Sequence, residues 1–167
     1  YLRVFKDGDT PCILMVCCKE DTGADMFDFV KVGQWIRNVA NLSAPKIYGI
    51  DEEHGLLLLE DFGPEYCNDY LLLSECISRL QEPEPLEELV NFKDSPVYEG
   101  HRRVIDWFVP CQLGRKNFDE DVQAYLSLWR DIEESLPLPK TAFAHMDFHP
   151  GNFMNVDGRD GVLQCGI

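Results

Sequence analysis

Ala144-His145-Met146-Asp147-Phe148-His149-Pro150-Gly151-Asn152-Phe153-Met154 is the stretch from which the rest of this chain is read. It carries His-x-Asp, then four residues, then Asn. An Asp held on a rigid loop can accept the proton of an attacking hydroxyl. An Asn five residues on can return to the same cleft and coordinate a magnesium ion that bridges nucleotide phosphates. Pro150 and Gly151 suit the tight turn this return path needs. Two other readings stand beside this one. His145, Asp147 and His149 could form a metal site, which leaves Asn152 without a role. Asp147 could also simply cap a structural turn.

The formal net charge of −15 argues against nucleic acid or an anionic membrane surface as partner, because both demand a basic face. It is compatible with a cationic or neutral small molecule, although an acidic excess is most often a solubilising surface. No apolar run approaches the roughly 20 residues of a membrane span. The greasiest segment, Gly55-Leu56-Leu57-Leu58-Leu59, is strand-sized. The seven cysteines form no Cys-x-x-Cys pair. They read as buried thiols of a reducing compartment, hence a cytoplasmic location.

Working outward from the loop, the pattern alternates strands and helices. Residues 1–6 and 11–17 read as an antiparallel hairpin about the turn Asp7-Gly8-Asp9. A helix is expected over 24–40, where Met26, Phe29, Val30, Gly33, Ile36 and Val39 recur at helical spacing. Asp25 and Asp28 near its start suit the helix dipole. Strands follow at 46–51 and 56–60, joined by a turn that includes His54. Tyr66, Tyr70, Leu73, Ile77 and Leu80 form an apolar stripe on the next helix. After the Pro/Glu-rich 81–88 segment, a short helix is expected over 86–92 and another over 99–108, stopped by Pro110. The strongest helical pattern runs from 119 to 136. Strands at 153–156 and 162–167 flank the turn at 157–161.

The loop His145-Met146-Asp147-Phe148-His149-Pro150-Gly151-Asn152 resembles the catalytic loop of the aminoglycoside phosphotransferase and choline kinase-like enzymes. Those enzymes phosphorylate small-molecule hydroxyls, and His149-Pro150-Gly151 tilts the likeness away from protein kinases. Tyr1-Leu2-Arg3-Val4-Phe5, Leu42-Ser43-Ala44-Pro45 and Leu56 to Gly63, in this order with the loop, narrow it to the bacterial sugar kinases of cell-wall recycling. That group phosphorylates the anomeric hydroxyl of N-acetylmuramate or N-acetylglucosamine.

The resemblance implies an α+β, protein-kinase-like two-lobed fold: residues 1–62 as a small antiparallel-sheet N-lobe, and 63–167 as part of a mainly helical C-lobe. It implies ATP and Mg2+ as cofactors and a sugar or amino sugar as acceptor. Asp147 would be the base and Asn152 a metal ligand. His145 would brace the loop, and His149 would position the metal loop or the substrate. Backbone groups near Glu60, Asp61 and Phe62 would hydrogen-bond adenine at the hinge. Asp61-Phe62-Gly63 mimics the metal-binding Asp-Phe-Gly of protein kinases, but it precedes the catalytic loop and is read as hinge. The expected ATP lysine falls near Met15, with Lys19 or another group as its substitute. In the family an acidic residue of the first helix bridges to that lysine, which gives Asp25 or Asp28 a second reading. Both chain ends read as truncated, the glycine-rich loop lying before Tyr1 and a second metal-binding Asp beyond Ile167. Alone, the fragment is expected to transfer no phosphate. Alternative readings are an aminoglycoside or choline phosphotransferase, or a degenerate kinase-fold binding module.

Overall fold

A computed structural model describes residues 1–17, 26–94, 98–136, 141–156 and 163–166. Lys19, Asp25 and the turn at 157–161 lie outside the described residues. The architecture is mixed α+β, with a small antiparallel sheet and several helices. The chain divides into two compact units, residues 1–86 with 142–167, and residues 87–141.

In the first unit, strands β1 (Leu2–Lys6), β2 (Thr10–Val16), β4 (Ile47–Asp51) and β5 (Leu56–Glu60) make an antiparallel sheet in the order β1-β2-β5-β4. Ile13 lies opposite Leu59, and Met15 opposite Leu57. Alternation therefore sends all four side chains to one face. Helix α1 (Met26–Asn38) covers that face, and Met26, Leu57 and Leu59 are buried there with Ile13, Met15, Phe29, Val30 and Ile47 around them. Met15, where the resemblance expects a lysine, is thus part of the apolar packing. Asp28 is exposed in the first turn of α1, where its charge complements the helix dipole.

A second sheet was not legible in the sequence as a sheet. Leu42-Ser43 (β3), just past the helix expected over 24–40, pairs in parallel with β7 (Leu163–Gly166), and β7 pairs antiparallel with β6 (Met154–Asn155). Both residues of β3 are buried.

Helix α2 (Tyr70–Gln81) begins at Asp69, whose carboxylate accepts from the Leu71 and Leu72 amides. Its core stripe is Leu73, Cys76 and Leu80. The expected stripe is therefore rotated: Tyr66 and Tyr70 are exposed. Tyr66 precedes the helix and bridges to Met154, so helical spacing does not govern its direction.

No helix forms over 86–91, where one is expected; Phe92–Asp94 is a single 3-10 turn. The helix expected to stop at Pro110 instead continues. Val104–Phe108 is a π-turn, and α3 (Val109–Leu113) follows with Pro110 in its first turn. Proline lacks an amide hydrogen and crowds the carbonyl four residues back. The wider turn, in which the Val109 amide donates to Val104 O, absorbs both defects. Gly114, at φ 65°, ends α3 in the left-handed conformation that glycine adopts without a Cβ clash. Helix α4 (Asp119–Ser135) carries Asp119, Glu120 and Asp121 in its first turn. The Tyr125 hydroxyl donates to His101 O at 2.9 Å, and His101 packs on Trp129 with ring centroids 5.2 Å apart.

Among the described residues no helix is long and apolar enough to cross a membrane. Among the described residues, Cys12, Cys67 and Cys111 are free thiols.

Candidate active site

The loop from His145 to Asn152 is clamped at both ends. On its approach, Phe143 stacks on Trp35 of α1, with ring centroids 5.0 Å apart at 28°. On its exit, Phe153 is wholly buried. The Cys67 amide donates to Phe153 O, and the Asn155 amide to Glu65 O, both at 2.8 Å. Aromatic anchors of this size contribute most of what holds an otherwise polar loop in place.

Between the clamps the backbone makes two tight turns. The Asp147 amide donates to His145 O at 2.8 Å, around Met146 at φ 65°. A non-glycine side chain in this region is strained by about 1–2 kcal/mol. The second turn is the 3-10 helix Pro150–Asn152, with Pro150 at its start. His149 caps it: Nδ1 accepts from the Gly151 amide at 3.1 Å. The Asn152 amide donates to His149 O at 2.9 Å.

That second turn returns Asn152 to Asp147. Asn152 Nδ2 donates to Asp147 O at 2.9 Å and to Asp147 Oδ2 at 2.8 Å. Both partners are acceptors, so the amide nitrogen must face them, and the carboxamide oxygen is turned to the other side. Asp147 nevertheless keeps 75% of its side chain exposed. Its second oxygen, Oδ1, lies 3.7 Å from His149 Nε2.

His145 points the other way, into the protein. Its ring lies against Phe148 and Phe153, with centroids 5.8 and 5.5 Å away. Its Nδ1 is buried, with no hydrogen-bond partner among the described residues. Burial holds its pKa below the ordinary imidazole value, aided by the neighbouring His149 and opposed by Asp147. Asp147, His149 and Asn152 thus converge, while His145 supports them from behind. Among the described residues no group of three His, Cys, Asp or Glu side chains is placed to hold a metal ion, which removes the geometric basis for the His145-Asp147-His149 metal reading.

Glu60, Asp61 and Phe62 stand where β5 ends. The Glu60 amide donates to Lys46 O, and Glu60 Oε2 accepts the Lys46 amide at 3.1 Å. The Asp61 carboxylate is 4% exposed and held by the Arg3 guanidinium, Nε on Oδ2 at 2.5 Å and Nη2 on Oδ1 at 3.0 Å. It also accepts the Gly63 amide at 2.8 Å. Phe62 is half-buried. Arg3 is the residue that sequence reasoning missed here. Its place on one face of β1 was readable, but its partner lies 58 residues away. Trp35 was missed as an anchor of the loop for the same reason.

No known family model matches the chain. The chain is distantly similar to the N-acetylmuramate/N-acetylglucosamine kinase of Caulobacter vibrioides, with 25% identity over 163 residues. The match covers 83% of this chain and 43% of that protein, so the chain spans less than half the length of the curated relative it matches. The likeness is that of a kinase-like relationship with a sugar kinase.

Proposed function

We propose that this protein is a small-molecule kinase that transfers the γ-phosphate of ATP to a sugar hydroxyl. The acceptor we favour is the anomeric hydroxyl of an N-acetyl amino sugar. The observation that carries this reading is the pairing of Asp147 with Asn152: an exposed carboxylate fixed by one oxygen, with the other oxygen open to a hydroxyl proton. The distant likeness to a sugar kinase supports the choice of substrate class.

In this reading Asp147 orients the sugar hydroxyl and takes its proton as the oxygen attacks the γ-phosphorus in line. His145 and the aromatic rings around it keep the loop from yielding, and Asn152 keeps Asp147 turned to the acceptor. Asn152 would contribute one ligand to a magnesium ion, because its carboxamide oxygen is a hard donor turned away from Asp147. When bound with the nucleotide, it would neutralise phosphate charge. Residues 1–62 serve as the nucleotide lobe, with backbone groups at Glu60 to Phe62 for adenine, and 63–167 as part of the acceptor lobe. The free thiols of Cys12, Cys67 and Cys111 suit a cytoplasmic protein.

A second reading, a binding module of kinase-like fold without chemistry, is favoured by one observation. Met15 packs in the core where a lysine is expected to hold the nucleotide phosphates. The test is a phosphorylation assay of the complete protein with Mg-ATP against N-acetylglucosamine, N-acetylmuramate, an aminoglycoside and choline. Transfer to an N-acetyl sugar is expected. Transfer only to the aminoglycoside or choline would move the acceptor class, and nucleotide binding without transfer to any of them would favour the binding module.

A further inference from the structure

We propose that His149 is a positioning residue for Asp147, its imidazole held as the Nε2–H tautomer by the Gly151 amide. The inference rests on the phosphotransfer reading and deepens it. A backbone N–H can only donate, and that of Gly151 meets His149 Nδ1 at 3.1 Å. Nδ1 therefore presents its lone pair, and the proton of the neutral ring sits on Nε2. Nε2 stands 3.7 Å from Asp147 Oδ1. That is too long for a direct hydrogen bond, but it sets the positive end of the N–H dipole beside this oxygen.

The two carboxylate oxygens are thereby made unlike. Oδ2 is taken by Asn152 Nδ2 at 2.8 Å. Oδ1 is left to accept the hydroxyl proton, with the imidazole edge setting its direction. A carboxylate anchored through one oxygen alone can still swing about its Cβ–Cγ bond. The His149 edge restricts that swing at the oxygen that reacts, and small errors of position there are expensive in rate.

Gly151 is part of the same device. A Cβ at this position would stand 2.8 Å from His149 Cε1 and 3.0 Å from Nδ1. The ring can cap the turn and reach Asp147 together only because residue 151 has no side chain.

Two measurements on the complete protein test this. Long-range 1H–15N correlation spectra of the neutral ring are expected to show His149 protonated on Nε2 and bare on Nδ1. A ring protonated on Nδ1 overturns the proposal. The second measurement separates capping from positioning. His149→Asn keeps an acceptor for the Gly151 amide but loses the donor near Asp147. Its kcat is expected to fall about 10-fold, with the nucleotide KM within about twofold. His149→Gln, which carries an amide donor near the place of Nε2, is expected to turn over several-fold faster than His149→Asn. Parental kcat in His149→Asn, or His149→Gln no faster than it, overturns the positioning role. Absence of phosphotransfer in the unsubstituted protein would defeat the kinase reading instead, and the spectra would still decide the tautomer.

Discussion

The four-stranded sheet and the 145–152 loop belong to the same compact unit, yet opposite means hold them. In the sheet, regular alternation buries Leu57 and Leu59 beneath α1; β1–β2 and β4–β5 pair as short hairpins, and β2 pairs with the sequence-distant β5. The loop buries no polar centre that it uses. Asp147 is exposed, Met146 is strained, and His145 Nδ1 behind them has no hydrogen-bond partner among the described residues. Its stability is borrowed from Phe143 and Phe153 at its ends. The difference shows where this chain spends apolar contact on shape, and where it accepts strain to hold a carboxylate in the open.

Substitutions on either side of that contrast should separate rate from stability. Asp147→Asn in the complete protein is expected to lower turnover ~10²–10⁴-fold while nucleotide binding persists. Near-normal turnover would remove the base from Asp147. Leu57→Ala should cost about 3 kcal/mol in urea denaturation, because a wholly buried leucine leaves a cavity under α1. Asp147→Asn in the same assay should move stability by less than about 0.5 kcal/mol, as for an exposed surface residue. A large stability loss there would make the loop part of the core and erase the contrast.

Met146→Gly should raise stability by roughly 0.5–1 kcal/mol, the relief of a positive φ less the greater freedom of glycine when unfolded. Equal or lower stability would show that the turn carries no strain.

The smallest effect concerns pH. Burial lowers the His145 pKa in the folded chain. As pH falls through about 6.5, the unfolded chain takes up a proton that the folded chain resists. The contribution of His145 to stability is therefore complete above the unfolded pKa, and it is lost progressively down to the folded pKa. A His145 ring titration followed by NMR should have its midpoint below about 6.5. A midpoint above that value would mean that Asp147 outweighs burial.

Much of the first sheet was legible because its signals are local. The turn at Asp7-Gly8-Asp9 and the leucine run at 56–59 place β1, β2 and β5 within a residue or two of their observed bounds. The π-turn at 104–108 was not legible, since the rule that proline stops a helix omits the alternative of widening the turn before it. Nor was the rotation of the α2 stripe: Tyr70 has helical spacing, but it sits at the first turn and stays exposed. In the site, the spacing of Asp147 and Asn152 was readable, and so was the turn chemistry of Pro150 and Gly151. That Asn152 presents its nitrogen to Asp147, and that His149 caps the turn, were not, because side-chain hydrogen bonds depend on rotamers that composition leaves open.

By itself, then, the amino-acid order determined the short-range features of this protein: most of its strands and helices, and a loop whose Asp and Asn are five positions apart. Interactions between near neighbours suffice for these, because the chain connecting them leaves few conformations to choose from. Only the tertiary structure decided that Leu42-Ser43 pairs with the strand at 163–166, that Trp35 receives Phe143, and that Arg3 closes on Asp61. A residue's type announces what it needs, apolar cover or an opposite charge. Which distant residue supplies it is settled when the whole chain packs and every competing partner has been placed.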